Sequence, residues 1–168
     1  MASETQPDWA CLVDKHAERV FRIAYRILGS VQDAEDVSQN VFSEAVKLHA
    51  AGPIQSWLGL FVRLASLRAL DMRRSRRSVL QLIESDRATQ SGPAEEAIGA
   101  ELAVWLREAT SRLPDQQAAV FSLTYYEHLD RGTIAEVLEI EPEAVSTCLY
   151  KARKRLRSEL QVLDGGTE

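Results

Sequence analysis

The sequence predicts an all-α protein made of two small helical domains joined by a flexible linker. Apolar residues recur at three- and four-residue spacing along most of the chain, which is typical of amphipathic helices. Glycine or proline separates several of these segments. Residues 75–93 interrupt the pattern with Ser, Thr, Gln, Gly and Pro. With 168 residues, 45% of them hydrophobic, the chain can form one ordinary domain or two very small ones.

Three helices are predicted before the linker. The first covers residues 12–28, and Gly29 ends it as a helix C-terminal glycine would. Ser30 opens a second helix with a capping-box pattern, and the glycine and proline of residues 51–53 break that helix. A third helix is predicted from about Ile54 to Arg74, apolar at its start and basic at its end.

Four helices are predicted after the linker. One resumes near Ala94, and Leu113-Pro114 closes it and opens the next. The last two cover Thr133–Leu138 and Glu143–Leu160, with a tight turn between them. The predicted division of the chain is 8–78 for the first domain, 79–97 for the linker and 98–163 for the second domain.

Basic residues are concentrated in two segments, although the net charge of the chain is -5. Residues 63–77 and 151–157 contain 11 of the 20 Lys and Arg residues and one acid, Asp71. Two basic patches on an acidic body indicate two contacts with a polyanion and at least one further surface.

The remaining composition argues against a metal site, a catalytic centre or a membrane segment. Cys11 and Cys148 lie far apart, and neither has the spacing of a zinc ligand. No apolar run approaches the ~20 residues of a membrane span, and residues 1–7 do not resemble a signal peptide. We expect a cytoplasmic protein with free thiols and with no metal, cofactor or catalytic residue.

The last two predicted helices have the pattern of a helix-turn-helix. The second of them carries an apolar face opposite a polar and basic one. Such a helix fits the DNA major groove, where its first residues reach base edges and its basic residues neutralise phosphates. An ordinary helical hairpin with a solvated charged face is the alternative interpretation. The predicted duplex-binding residues are Ser146, Thr147, Tyr150, Lys151, Arg153 and Lys154.

The second predicted helix carries acids and amides on one side, in the run DAEDVSQNVF. Paired carboxylates could bind a metal or transfer protons, but no histidine or glycine-rich loop accompanies them. A solvated face and a surface for a basic protein partner are the other interpretations. The residues concerned are Asp33, Glu35, Asp36, Gln39 and Asn40.

These runs together resemble the extracytoplasmic-function (ECF) group of bacterial RNA polymerase sigma factors, in the sigma-70 family. The run DAEDVSQNVF is similar to the signature with which the family's second region docks on the polymerase clamp. The runs LPDQQAAVFSLTYYEHL and IAEVLEIEPEAVSTCLYKARKRL are similar to the family's fourth region. The resemblance covers roughly Leu12–Ser78 and Leu106–Leu160.

The resemblance implies a non-catalytic factor for promoter-specific transcription initiation. The first domain would bind core RNA polymerase at its clamp and capture the minus-ten element of promoter DNA. The second domain would read the minus-thirty-five element as a duplex and touch the polymerase flap. An anti-sigma factor is also implied as a partner. We expect no insertion of this chain into a membrane. The arginines expected at the minus-ten DNA are Arg63, Arg68, Arg73, Arg74, Arg76 and Arg77.

Some positions depart from the family's pattern. Leu67 stands where the family has asparagine, so a polar base contact would be missing or replaced. Trp57 lies one turn before the usual tryptophan position, and we expect it in the core. Glu139 replaces a glycine, which costs roughly 1 kcal/mol if the position needs a positive φ. Ser146 and Cys148 stand where basic residues are common.

Two alternatives to a sigma factor are open at this point. A stand-alone helix-turn-helix regulator would bind DNA without polymerase, and it would have no need of the acidic face at residues 33–40. A sigma-derived interaction module with weakened DNA binding is supported only by the departures at Leu67, Ser146 and Cys148. For the free protein, an acidic first domain and a basic second domain suggest that the two domains pack together, which is a hypothesis.

Overall fold

The structure, a computed structural model, describes residues 6–80 and 99–164. These residues form seven α-helices and no strand, which confirms the all-α prediction. The helices are α1 (Trp9–Leu28), α2 (Val31–Ala51), α3 (Trp57–Leu80), α4 (Ala100–Arg112), α5 (Asp115–Tyr125), α6 (Arg131–Leu138) and α7 (Pro142–Asp164). None of the helices in these two ranges is long and apolar enough to cross a membrane. The predicted linker from residue 81 onwards and the predicted helix start near Ala94 lie outside the described residues.

The predicted end of α1 and the predicted start of α2 are both confirmed. Gly29 ends α1 in the left-handed region at φ 71°, and its N–H donates to the Tyr25 carbonyl. Ser30 caps α2, since its hydroxyl accepts from the Asp33 N–H at 3.4 Å. The Asp33 carboxylate does not complete a capping box, because it pairs with Arg76 of α3.

Helix α3 continues to Leu80, six residues beyond the predicted end at Arg74. The serines near its end do not stop it, because no glycine or proline follows them before Leu80. Ser78 satisfies its hydroxyl within the helix by donating to the Arg74 carbonyl at 3.3 Å. The whole basic segment of residues 63–77 is therefore helical.

The helix-turn-helix is present and starts slightly earlier than predicted, at Arg131. Asp130 caps α6 by accepting from the Thr133 N–H at 3.0 Å, and these hydrogen bonds hold the pKa of Asp130 below its ordinary value. Glu139 ends α6 in the left-handed region at φ 56°, as expected if the position needs a positive φ. A side chain in this region costs roughly 1 kcal/mol relative to glycine. Pro142 then opens α7.

The two domains share one apolar core. A cluster of buried side chains begins in α1, α2 and α3 and continues into α5, α6 and the start of α7. Val120, Leu123 and Ile134 of the second domain are fully buried in it. A smaller cluster around Leu113, Phe121 and Leu156 joins α4, α5 and α7. Packing of the two domains against each other is therefore a property of this fold.

Trp57 lies against the core, as predicted, and not on an exposed platform. Its ring centroid is 5.3 Å from that of Trp9, 5.7 Å from that of His49 and 5.9 Å from that of Phe61. His16 completes this group 5.1 Å from Phe61, and burial lowers its pKa. These rings hold the N-terminal end of α3 against α1 and α2.

Candidate polymerase and nucleic-acid interfaces

One side of α2 carries four exposed acidic and amide side chains, which we call the docking face: Glu35, Asp36, Gln39 and Asn40. Ala34, Val37 and Val41 point the opposite way into the core, so helical periodicity alone turns these four outward. Among the described residues, no carboxylate of the docking face forms an ion pair within the protein. The face is therefore available to a basic partner.

Asp33, the fifth residue predicted for this surface, is buried. Its carboxylate pairs with the Arg76 guanidinium across the gap between α2 and α3. Removing a charge from water requires such a partner, because an unpaired buried carboxylate is costly. Asp33 therefore ties the start of α2 to the basic end of α3.

Helix α7 carries the predicted duplex-binding residues on its solvent side. All six are exposed, and we call them the recognition face: Ser146, Thr147, Tyr150, Lys151, Arg153 and Lys154. Val145, Ala152 and Leu156 point inward. Tyr150 is 68% exposed, and tyrosine is enriched at interfaces because it combines an apolar ring with a polar hydroxyl.

Two contacts at the recognition face involve residues that the sequence analysis missed. The Arg153 guanidinium donates to the Tyr125 hydroxyl and lies 5.4 Å from the Tyr125 ring centroid. Arg131, at the start of α6, donates to the Ser146 hydroxyl at 3.4 Å. Tyr125 thus orients the one arginine of the face, and Arg131 adds a further positive charge beside Ser146.

Helix α3 carries six basic side chains, and two of them pair inside the first domain. Arg68 donates to both carboxylate oxygens of Glu44 at 2.7 Å and to Asp71 at 2.8 Å. This pairing lowers the pKa of Glu44 and raises that of Arg68. Arg76 pairs with Asp33 as described above.

Arg73 is the most deeply buried of the α3 arginines, with its side chain 10% exposed. Its Nε donates to Asp115 of α5 at 2.8 Å, and its two terminal nitrogens donate to backbone carbonyls of both domains. These carbonyls belong to Ile27, Ser111 and Leu113. Arg77 also approaches the Asp115 carboxylate, at 3.4 Å. One guanidinium therefore bridges the two domains with a fork that lysine could not supply.

Two further acids of the second domain hold arginines of the first. Glu127, with its side chain 6% exposed, lies 2.8 Å from Arg19 and 3.6 Å from Arg26 of α1. Glu139, in the turn of the helix-turn-helix, pairs with Arg63 of α3. We refer to Asp115, Glu127 and Glu139 together as the interdomain carboxylates.

The charge pattern at this interface has the opposite sign to the one expected. The packing hypothesis assumed an acidic first domain against a basic second domain. The structure instead places first-domain arginines against second-domain carboxylates, so the expected packing occurs but the expected reason for it was wrong. Net charge does not reveal this, because the total charge of a domain does not show which single acid meets which arginine.

Arg74 is exposed, and no carboxylate within the described ranges pairs with it. Three of the six α3 arginines thus contact second-domain acids, two contact first-domain acids, and Arg74 is left to solvent.

Cys11 and Cys148 are free thiols, and burial raises the pKa of Cys148. In the part of the chain that the structure describes, no cluster of three or more His, Cys, Asp or Glu residues could hold a metal.

Comparison with known families matches both halves of the molecule. Residues 12–79 match the family described as sigma-70 region 2, and residues 103–156 match the one described as sigma-70, region 4. A region 2 bundle followed by a region 4 helix-turn-helix defines the chain as a sigma factor of the sigma-70 type.

Individual relatives specify the group within that family. The chain is 33% identical over 162 residues to the ECF RNA polymerase sigma factor SigE of Mycolicibacterium smegmatis, covering 92% of this chain and 62% of that protein. It is 26% identical to SigW of Bacillus subtilis, covering 94% of this chain and 91% of that protein. It is 29% identical to SigL of Mycobacterium tuberculosis, covering 90% and 88%. The chain belongs to the ECF group of RNA polymerase sigma factors.

A solved structure has the same fold. The sigma factor RpoE from Bartonella quintana, in a co-crystal with the anti-sigma factor NepR, superposes with a TM-score of 0.73 at 15% sequence identity. The superposition covers 92% of this chain and 98% of that one. At this identity the likeness concerns the fold.

Proposed function

We propose that this chain binds core RNA polymerase through the docking face and directs it to promoters through α3 and α7. The observation that carries the proposal is the presence in one chain of an exposed acidic face on α2 and an exposed recognition face on α7. Membership of the ECF sigma factors agrees with this division. A stand-alone regulator would have no use for the docking face.

The docking face suits a basic protein surface. Asp36 is an exposed carboxylate of this face, and the buried Val37 beside it anchors the helix that carries it. Charge complementarity of this kind speeds association and selects the partner. The partner surface assigned by the resemblance is the coiled coil of the polymerase clamp.

The recognition face suits duplex DNA at the minus-thirty-five element. Ser146, Thr147 and Tyr150 lie in the first half of α7, where a recognition helix reaches base edges. Lys151, Arg153 and Lys154 follow and would neutralise phosphates. The exposed part of α3, Arg74 above all, would meet DNA at the minus-ten element, where arginines pair with the backbone of the opened strand.

An anti-sigma factor is a further proposed partner. The structural relative with the same fold was crystallised with an anti-sigma factor. A protein that covers the docking face would compete with polymerase, and one that covers the recognition face would compete with duplex DNA.

The proposal is tested by binding of the purified chain to bacterial core RNA polymerase. Asp36→Arg reverses the charge at the centre of the docking face and should weaken binding by at least about tenfold, the scale of a lost charge pair at an interface. Asp14→Arg is the matched control, because Asp14 is exposed on α1, away from the docking face.

Equal binding by wild type, Asp36→Arg and Asp14→Arg would exclude the docking face as the polymerase contact. No binding by any of the three would contradict the sigma factor function itself. Retention of duplex DNA binding by Asp36→Arg is expected in either case, because α2 and the recognition face lie in different domains.

A further inference from the structure

One edge of α7 carries two guanidinium groups that uncharged side chains hold in place. Ser146 and Arg153 each directly follow a buried residue, Val145 and Ala152, so both lie about 100° around the helix from the core. Seven residues of helix separate Ser146 from Arg153, which is about 10 Å along the axis. The two residues therefore share one edge of the exposed side of α7.

The partners of this edge come from the two ends of the α5–α6 connection. Tyr125, the last residue of α5, accepts a hydrogen bond from the Arg153 Nε, and the centroid of its ring lies 5.4 Å from the Arg153 guanidinium. Arg131, the first residue of α6, donates to the Ser146 hydroxyl at 3.4 Å. We call Arg131 and Arg153 the edge arginines.

The edge arginines keep their positive charge available to a partner. Both are exposed, and in the described parts of the chain neither pairs with a carboxylate. Asp130, the acid next to Arg131 in the sequence, accepts instead from the backbone N–H and the hydroxyl of Thr133, at 3.0 and 2.8 Å. The hydroxyls of tyrosine and serine orient a guanidinium without neutralising it.

The Ser146 hydroxyl has no proton left to donate to a DNA base. It donates to the Pro142 carbonyl at 3.4 Å and accepts from Arg131. The group that this position presents to a partner is therefore the guanidinium of Arg131, which the hydroxyl holds from behind.

Residues at the edge of a recognition helix lie nearer to the phosphates than to the bases. The major groove is about 12 Å wide and a helix with its side chains is about 10–12 Å in diameter, so the helix fills the groove. Thr147 and Lys154 lie about 200° from the core and point into the groove. The edge that carries Ser146 and Arg153 faces one of the two sugar-phosphate backbones.

We propose that the edge arginines bind DNA phosphates along one edge of α7, and that Tyr125 and Ser146 position them without touching DNA. The idea rests on the proposed function, since it concerns how the recognition face binds a duplex. It replaces the base contact expected from Ser146 with a phosphate contact from Arg131, a residue outside α7. About 10 Å apart, the two guanidiniums reach separate phosphates, so each contributes its own counterion release.

The salt dependence of duplex binding tests the phosphate contacts. The purified full chain is titrated into a short fluorescein-labelled duplex of mixed sequence and followed by anisotropy, because phosphate contacts need no particular promoter. Arg131→Ala and Arg153→Ala should each lower the slope of log affinity against log salt by about 0.9, and the double variant by about 1.8. Arg112→Ala is the matched control and should leave the slope unchanged. Arg112 belongs to the same domain and pairs with Glu159, on the core side of α7.

A double-variant cycle tests the two positioning residues. Tyr125→Phe and Ser146→Ala each remove a hydroxyl and no charge, and each should weaken duplex binding about threefold, as one lost hydrogen bond would. Tyr125→Phe should have no further effect in Arg153→Ala, and Ser146→Ala none in Arg131→Ala, because the group being positioned is gone. The crossed pairs, Tyr125→Phe with Arg131→Ala and Ser146→Ala with Arg153→Ala, should be additive.

The possible outcomes separate this inference from the proposed function. Unchanged slopes in Arg131→Ala and Arg153→Ala would overturn the phosphate contacts. Additive effects in the matched pairs would overturn the positioning roles, because a hydroxyl that touched DNA itself would act independently of its arginine. Either failure would leave the binding of core polymerase intact. A wild type that binds neither duplex nor core polymerase would overturn this proposal and the proposed function together.

Discussion

The basic segment of α3 and the basic segment of α7 differ in what their side chains contact. In α3, five of six arginines pair with carboxylates, and Arg73 also donates to three backbone carbonyls. In α7, the two lysines and the one arginine of the recognition face are exposed, and within the described ranges Arg153 contacts the uncharged Tyr125 and pairs with no carboxylate. Two segments of similar charge thus serve different purposes in the free protein.

Because of this difference, the basic segment of α3 should contribute mainly to folding and that of α7 mainly to DNA binding. Buried and paired arginines contribute to stability through partners that are costly to leave alone. Exposed arginines and lysines contribute little to stability and are free to neutralise phosphates. Substitutions in α3 should therefore change stability first, and substitutions in α7 should change DNA binding first.

The largest expected effect is at Arg73. Arg73→Ala leaves Asp115, 14% exposed, with only Arg77 nearby, and it leaves three carbonyls without a donor. We expect a loss of about 3 kcal/mol in the free energy of unfolding, the lower end for a broken buried pair. Urea denaturation measures it, with Arg153→Ala as the control expected to lose less than about 1 kcal/mol. Equal losses in the two variants would remove the distinction between the segments.

A smaller effect is expected at Lys154, on binding and not on folding. Lys154→Ala should weaken duplex binding and reduce the slope of log affinity against log salt by about 1, as for one lost phosphate contact. Anisotropy with a duplex of mixed sequence across a salt series measures this slope. Lys47→Ala, an exposed lysine on α2, is the control. An unchanged slope in Lys154→Ala would place this lysine outside the interface.

The smallest effect concerns the pH dependence of the Glu44–Arg68 pair. The pKa of Glu44 is lowered by Arg68, so the unfolded chain binds a proton more readily there than the folded one. The pair should stabilise the fold above the ordinary glutamate pKa and lose this contribution as the pH falls through the lowered pKa. Because both side chains are about one third exposed, the gain at neutral pH should be below about 1 kcal/mol.

Urea denaturation of wild type and Glu44→Gln at a series of pH values tests this sign. The difference between the two should be present at neutral pH and vanish in acid. Glu35→Gln, which removes an exposed carboxylate without an ion pair, should show no such difference. A difference that grows in acid would mean that the pair opposes folding.

The sequence was sufficient for the features that depend on local chemistry. Gly29 marks a helix end by its backbone preference and Ser30 marks a helix start by its side-chain cap, and both are where the pattern predicted. The helix end at Glu139 followed from the resemblance to the family's glycine position, because the backbone preference of glutamate opposes the left-handed region. The interior position of Trp57 followed from its place on the apolar side of α3. The end of α3 was predicted too early, because its serines resemble a linker in composition.

The sequence was not sufficient for contacts between the domains. Asp115 reads as an ordinary first-turn acid of a helix, and Glu127 as a single charge after an apolar segment. Nothing local indicates that each meets an arginine more than 40 residues earlier in the chain. The six α3 arginines were therefore predicted as one set, and the structure divides them by partner.

Helix α3 also fixes the relative positions of its arginines along a single rod. Arg63 and Arg77 are 14 residues apart in one unbroken helix, which sets their Cα separation at about 21 Å. One inserted residue after Leu70 would turn everything beyond it by about 100° and carry Arg73 away from Asp115. Substitutions along this rod have local effects that can be offset, whereas a change in its length would misdirect every arginine beyond the insertion at once.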